Sequence, residues 1–170
     1  MKTYTYILFL IIALVYLVGC KNEKKDMVSG SDVKGDSIYY NSLFEYRLVY
    51  PSQLIPQGES MNEDGQKFVS DAGVILSAWA SYNALSNSVK GEFDFTKENF
   101  KEYDWKISVE EIKENTFYLS GYEPNGSIFY QKTIYNKEKD AFYSVLLEYP
   151  ETERIFGDKI IKNYIKRFPN

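Results

Sequence analysis

Ala141-Phe142-Tyr143-Ser144-Val145-Leu146-Leu147-Glu148-Tyr149 is the stretch from which the rest of the fold can be read. Side chains on an extended strand alternate between faces. Ala141, Tyr143, Val145, Leu147 and Tyr149 therefore share one face, and Phe142, Leu146 and Glu148 the other. Both sets are largely apolar, so this strand needs cover on both sides, and at least part of its sheet must be sandwiched.

Upstream, Ile128 to Tyr135 reads as the neighbouring strand, joined through Asn136 to Asp140. Phe117 to Tyr122 precedes it across Pro124-Asn125-Gly126, where Asn and Gly accept the positive φ of a tight turn. Ile107, Val109 and Ile112 mark a further strand from Trp105 onward, which makes a meander. Earlier, Phe44, Tyr46, Leu48 and Tyr50 alternate with Glu45, Arg47 and Val49 until Pro51 ends the run. Lys67-Phe68-Val69-Ser70 and Val74 to Ala80 form a hairpin through Asp71-Ala72-Gly73. Two helices would supply the cover. Thr96 is the expected N-cap of one carrying Phe100 and Tyr103. The other runs from Glu151 to Arg167, with Ile155, Phe156, Ile160, Tyr164 and Ile165 at helical spacing. Its acidic start and basic end suit the helix dipole. The expected class is α+β: a largely antiparallel sheet flanked by helices, one of them C-terminal, over residues 38–170.

Composition narrows the function. The chain has 170 residues, 44% of them hydrophobic, with 16 Tyr and 11 Phe, enough to build one compact core. Its net charge of -4 argues against a nucleic-acid partner, which needs a concentrated basic surface. There is no His, which excludes Ser-His-Asp triads, Cys-His dyads and His-ligated zinc. Cys20 is the only Cys, so no disulfide forms within the chain. No cofactor, metal or catalytic residue is indicated.

Tyr4 to Val18 is almost wholly apolar, follows Lys2 and ends at Leu17-Val18-Gly19-Cys20, a signal-peptide layout shorter than a membrane-spanning helix. These four residues resemble the lipobox of bacterial lipoproteins. The resemblance implies export, cleavage of residues 1–19 and lipid on the Cys20 thiol, with a membrane as partner. Residues 20–37 are polar apart from Met27 and Val33 and read as the lipidated Cys and a solvated tether. Lys21, in the second mature position, is not the Asp that marks inner-membrane retention, so the resemblance points to the outer membrane.

The order of elements carries a second resemblance. The Phe44 to Pro51 run, the Phe68-Val69-Ser70-Asp71-Ala72-Gly73 hairpin, the middle helix, Leu119-Ser120-Gly121, Phe129-Tyr130-Gln131-Lys132, and Leu147-Glu148-Tyr149-Pro150 before a closing helix together resemble the PsbP/Mog-type α/β/α sandwich. The resemblance implies mainly non-enzymatic roles, such as an extrinsic subunit of the photosynthetic oxygen-evolving complex or a binder of the Ran GTPase, and transfers no site residue. A lipocalin-like barrel and a cystatin-like sheet with one helix are the competing single-sheet folds.

Among chemistry-bearing residues, Glu110 and Glu111 are adjacent on a strand and point to opposite faces, so they are not the facing carboxylate pair that glycoside hydrolysis requires. No Ser-x-x-Lys occurs in the folded part. Most aromatics belong to the core, and Trp79 and Tyr82, where a strand gives way to Ser81-Tyr82-Asn83, are the first candidates for ligand or partner contact. The leading expectation is a lipid-anchored, non-catalytic binding or assembly module of the cell envelope, with an envelope protein as partner. A small-ligand carrier with an aromatic-lined pocket and a carboxylate-based envelope hydrolase are the alternatives.

Overall fold

The computed structural model describes residues 35–169. The leader, Cys20 and nearly all of the tether lie outside the described residues. The first strand, β1 (Asp36–Asn41), pairs antiparallel with β2 (Tyr46–Pro51) as a separate two-stranded hairpin. It begins inside the stretch assigned to the tether. Phe44, Tyr46, Leu48 and Tyr50 are buried as their alternation predicts. Asn41 locks the turn: its Nδ2 donates to Tyr39 Oη at 2.9 Å and to the Glu63 carbonyl at 2.8 Å, while its Oδ1 accepts from the Phe44 amide at 2.9 Å.

Seven strands form the main sheet: β3 (Ile55–Glu59), β4 (Gly65–Val69), β5 (Ile75–Tyr82), β6 (Lys106–Lys113), β7 (Thr116–Tyr122), β8 (Ile128–Asn136) and β9 (Ala141–Tyr149). Their spatial order is β3-β4-β5-β9-β8-β7-β6, and every pairing is antiparallel. The sheet is open, with β3 and β6 as edges, which removes the closed barrel. Strand β9 sits at its centre between β5 and β8, as a strand apolar on both faces must.

On one face, Leu76, Ala78, Ala80, Tyr143, Val145 and Leu147 pack against the β1–β2 hairpin and the C-terminal segment. Tyr50 and Tyr39 meet Phe68 at ring separations of 4.3 and 5.7 Å. The C-terminal segment is not one helix. A 3-10 turn (Glu151–Glu153) leads into α2 (Arg154–Asn163), and a second 3-10 turn (Ile165–Arg167) follows. Ile160 and Ile165 are buried and Phe156 and Tyr164 pack against the core, but Ile155 points to solvent at 89% exposure. Gly157 brings α2 onto β9, because a Cβ there would lie 2.6 Å from the Tyr149 ring.

The opposite face carries α1 (Val89–Glu102). Thr96 is not its N-cap. Ser88 caps it by accepting from the Gly91 amide at 3.1 Å, and Thr96 lies within the helix, its hydroxyl donating to the Glu92 carbonyl at 2.9 Å. Phe93 is buried on Phe117 at 5.6 Å, and Phe100 stacks on Trp105 at 4.6 Å, both rings reaching Phe129. Tyr103, predicted to help cover the sheet, is 69% exposed.

Candidate functional site

Strand registers lay out the α1 face as a grid. One row runs Gly65, Trp79, Ser144, Thr133 and Phe117 across β4, β5, β9, β8 and β7. The next runs Lys67, Ser77, Leu146, Gln131 and Leu119, and a third Val69, Ile75, Glu148, Phe129 and Gly121. Helix α1 packs over β6 and β7 and reaches β8 through Phe100, so it covers one end of this grid. At the other end Lys67 is exposed, and Val69, Ile75, Ser77 and Trp79 are half-buried.

Where covered and open parts meet lies a band of buried polar side chains. Gln131 Nε2 donates to Thr133 Oγ1 at 3.0 Å, and Thr133 and Ser144 share a hydroxyl hydrogen bond of 2.9 Å. All three are buried. Such a network is tolerated in a low-dielectric interior because its members satisfy one another. It contains no titratable group, so it offers shape and hydrogen bonding rather than acid–base chemistry.

The loop from β5 into α1 is fixed by Asn83. Its Nδ2 donates to the Asn87 carbonyl at 3.1 Å and to Asp140 Oδ1 at 3.2 Å, and its amide donates to the Asp140 carbonyl at 2.8 Å. Tyr135 Oη donates to Asp140 Oδ1 at 2.7 Å. This ties the rim beside Ser81 to the β8–β9 turn.

Toward the opposite rim, Glu148 of the third row lies within charge range of Glu123, which follows β7. Burial raises the Glu123 pKa, and Glu123 Oε1 has no hydrogen-bond partner among the described residues. Burial also raises that of Glu148, with a further push from the charge of Glu123 and a smaller pull down from Lys67. These groups hold protons more tightly than ordinary carboxyls do. Among the described residues, no group of three or more His, Cys, Asp or Glu is placed to hold a metal ion.

The two candidates Trp79 and Tyr82 are not brought together. Trp79 faces the open strip, whereas Tyr82 lies on the opposite face against Phe44, with ring centroids 4.8 Å apart. Glu110 and Glu111 also separate as expected: Glu110 pairs with Lys97 of α1, and Glu111 with Lys113 at 2.6 Å. Trp105 packs between Phe100 and Phe129. Sequence reasoning passed over the Gln131-Thr133-Ser144 band, whose signal was the presence of hydroxyls and an amide within strands needing cover on both faces.

The arrangement defines an α+β protein with a PsbP-like fold: an antiparallel sheet with one helix over part of one face and a hairpin plus C-terminal helix over the other. Among solved structures it is similar to the solution structure of cyanobacterial PsbP (CyanoP) from Synechocystis sp. PCC 6803. The TM-score is 0.58 at 12% identity, over 79% of this chain and 94% of that one. At that identity the likeness is one of fold. No protein-family model and no curated protein matches the sequence.

Proposed function

We propose that the protein is a non-catalytic binding or assembly module of the bacterial cell envelope, anchored by lipid on Cys20, whose partner seats on the open β4–β5 strip of the α1 face. The observation that carries this reading is the half-buried Trp79 beside the Gln131-Thr133-Ser144 band, with Lys67, Ile75 and Ser77 around it. A large aromatic at the edge of a covered region supplies contact area at low entropy cost, and the neighbouring polar groups supply orientation. The band has no base or nucleophile pair, which favours binding over turnover. The Leu17-Val18-Gly19-Cys20 motif supports the anchor and the envelope address.

Photo-crosslinking in cells tests the reading. Benzoylphenylalanine placed at Lys67 or Ser81 should capture one dominant envelope protein, and Trp79→Ala should abolish that capture without unfolding the domain. Capture that is identical from Lys101, on α1, or that survives Trp79→Ala, would remove this strip as the interface. Separately, Cys20→Ala should leave the precursor uncut or release it from the lipid-labelled membrane fraction. A variant processed and anchored as before ends the anchor reading.

A further inference from the structure

The chain enters the domain beside its own C-terminus. Tyr164 Oη donates to an Asp36 carboxylate oxygen, and the Ser52 amide donates to the Gly35 carbonyl at 2.9 Å. From Lys159 to the last residue the sequence carries Lys159, Lys162, Lys166 and Arg167 and no acidic residue, in a chain whose net charge is -4. All four cations are exposed, and none is in an ion pair among the described residues. Asp36 accepts from Tyr164 and the exposed Asp158 from Tyr149 Oη at 3.3 Å; both donors are neutral phenols, so these two carboxylates keep their charge and are outnumbered by the four cations. Ile155, Lys159 and Lys162 follow at helical spacing on one stripe of α2, so an exposed apolar side chain shares that surface.

These cations sit on a held surface rather than a fraying end. Lys132 donates to the carbonyls of Ile165, Lys166 and Phe168 and pins the closing turn to the sheet.

We propose that this basic C-terminal turn is a docking face for anionic phospholipid headgroups. The proposal rests on the lipid-anchor reading, because the anchor brings the turn to the membrane. The sixteen-residue step from Cys20 to Asp36 spans at most roughly 55 Å. A lipidated chain therefore keeps the turn within reach of the headgroups, at the millimolar effective concentration typical of a short linker. Each Lys or Arg near an anionic surface favours the bound state about 5-fold, so four together favour it by several hundred-fold. An interaction that holds the free protein on such a surface only in part then suffices to orient the anchored one, turning Ile155 toward lipid and leaving the β4–β5 strip for a protein partner.

Flotation of the mature chain carrying Cys20→Ser tests the surface without the lipid, so it succeeds or fails independently of the Cys20→Ala fractionation. The probes are vesicles of phosphatidylcholine alone and vesicles containing phosphatidylglycerol. Recovery should require phosphatidylglycerol, decline with added salt, and drop on the order of 100-fold for Lys162→Gln/Lys166→Gln/Arg167→Gln. A circular dichroism melt should show that variant folded. Lys21→Gln/Lys24→Gln/Lys25→Gln should leave most of the binding in place. Equal recovery with both vesicle types, or loss with the tether variant instead of the C-terminal one, overturns the proposal.

Discussion

Lys132 Nζ donates to the Phe168 carbonyl at 2.6 Å, across a sequence separation of 36 residues. The same ammonium reaches the carbonyls of Lys166 at 3.0 Å and Ile165 at 3.2 Å, the latter also accepting from the Phe168 amide, so one buried cation adds donors to acceptors at the end of a terminal helical turn. It also places positive charge where the helical dipoles end negative. Burial lowers the Lys132 pKa, the cost of this arrangement. Lys132→Met should lose these bonds while keeping most of the aliphatic volume. We expect about 2–4 kcal/mol less stability in denaturant titration. Hydrogen exchange should rise first in residues 160–168, and uniform change would show that the lysine does not hold this turn.

Gly157 and Gly121 mark two close approaches. An Ala Cβ at 157 would meet the Tyr149 ring at 2.6–2.7 Å, and the ring is held by its hydroxyl bond to Asp158. Ala is the better helix former by about 1 kcal/mol, but the overlap outweighs this, and Gly157→Ala should cost about 1–3 kcal/mol. At Gly121 the β6 bulge between Ile107 and Val109 carries the Lys106 carbonyl to 1.9 Å from a built Cβ. Backbone cannot rotate aside as a ring can, so Gly121→Ala should cost about 3 kcal/mol or more. Thermal melts rank the two, and a Gly157→Ala loss larger than that of Gly121→Ala would contradict the argument.

The carboxyls at the rim predict a pH effect of unusual sign. Burial and mutual repulsion raise the folded pKa of Glu148 above the ordinary 4.5. Between those two values the native state binds the proton and the unfolded state does not, so this group's contribution to stability falls as pH rises. Glu148→Gln removes the charge and keeps the shape. It should stabilise the domain at pH 7 by about 1 kcal/mol and change little at pH 4. Destabilisation at pH 7 would mean that the pull of Lys67 on Glu148 outweighs its burial.

The tyrosines set the alkaline limit. Burial, first among the causes, raises Tyr39, Tyr130, Tyr149 and Tyr164 from the ordinary 10.0 to about 12, and raises Tyr46 further. In that window the unfolded chain releases phenolic protons that the folded chain keeps. Stability is therefore full below about pH 10 and lost as pH climbs toward 12. Lys132 opposes this, since a lowered lysine pKa makes stability rise with pH up to the ordinary lysine value, but one lysine faces five tyrosines. Tyrosinate absorbance should rise in two stages, the second coinciding with loss of near-UV circular dichroism. A single smooth titration with the fold intact would refute the burial of these rings.

Much of this architecture was legible because strand parity is a strong signal. The faces of β9 and the separation of Glu110 from Glu111 follow from period two, and the turn at Pro124-Asn125-Gly126 from turn chemistry, Gly126 taking the positive φ. Strand β3 was missed because Ile55-Pro56-Gln57-Gly58-Glu59 contains both residues that weaken a strand, tolerable here because it is an edge. Strand β1 was missed because Asp36 and Ser37 continue the polar composition of the tether, and only the pairing with β2 and the Asp36–Tyr164 bond draw them into the fold. The start of α1 was misplaced because Gly91 obscures its first turn and Thr96 resembles a cap. Lys132 was illegible as a structural residue, since its acceptors lie more than thirty residues away in sequence. The placement of Trp79 and Tyr82 on opposite faces was available in advance: three residues apart on a strand is an odd step.

The two tryptophans should separate packing from recognition. Trp105 is stacked on Phe100 at 4.6 Å and lies 4.8 Å from Phe129, inside the small core beneath α1. Trp79, at the open strip, makes no ring contact among the described residues. Trp105→Ala should therefore cost about 3 kcal/mol, with α1 loosening first in hydrogen exchange. Trp79→Ala should cost about 1 kcal/mol and leave α1 protected, yet abolish partner capture from Lys67 and Ser81. If Trp79→Ala instead destabilised the domain as much as Trp105→Ala does, its ring would be a structural wedge between α1 and β5. The interface would then have to be sought elsewhere on the sheet.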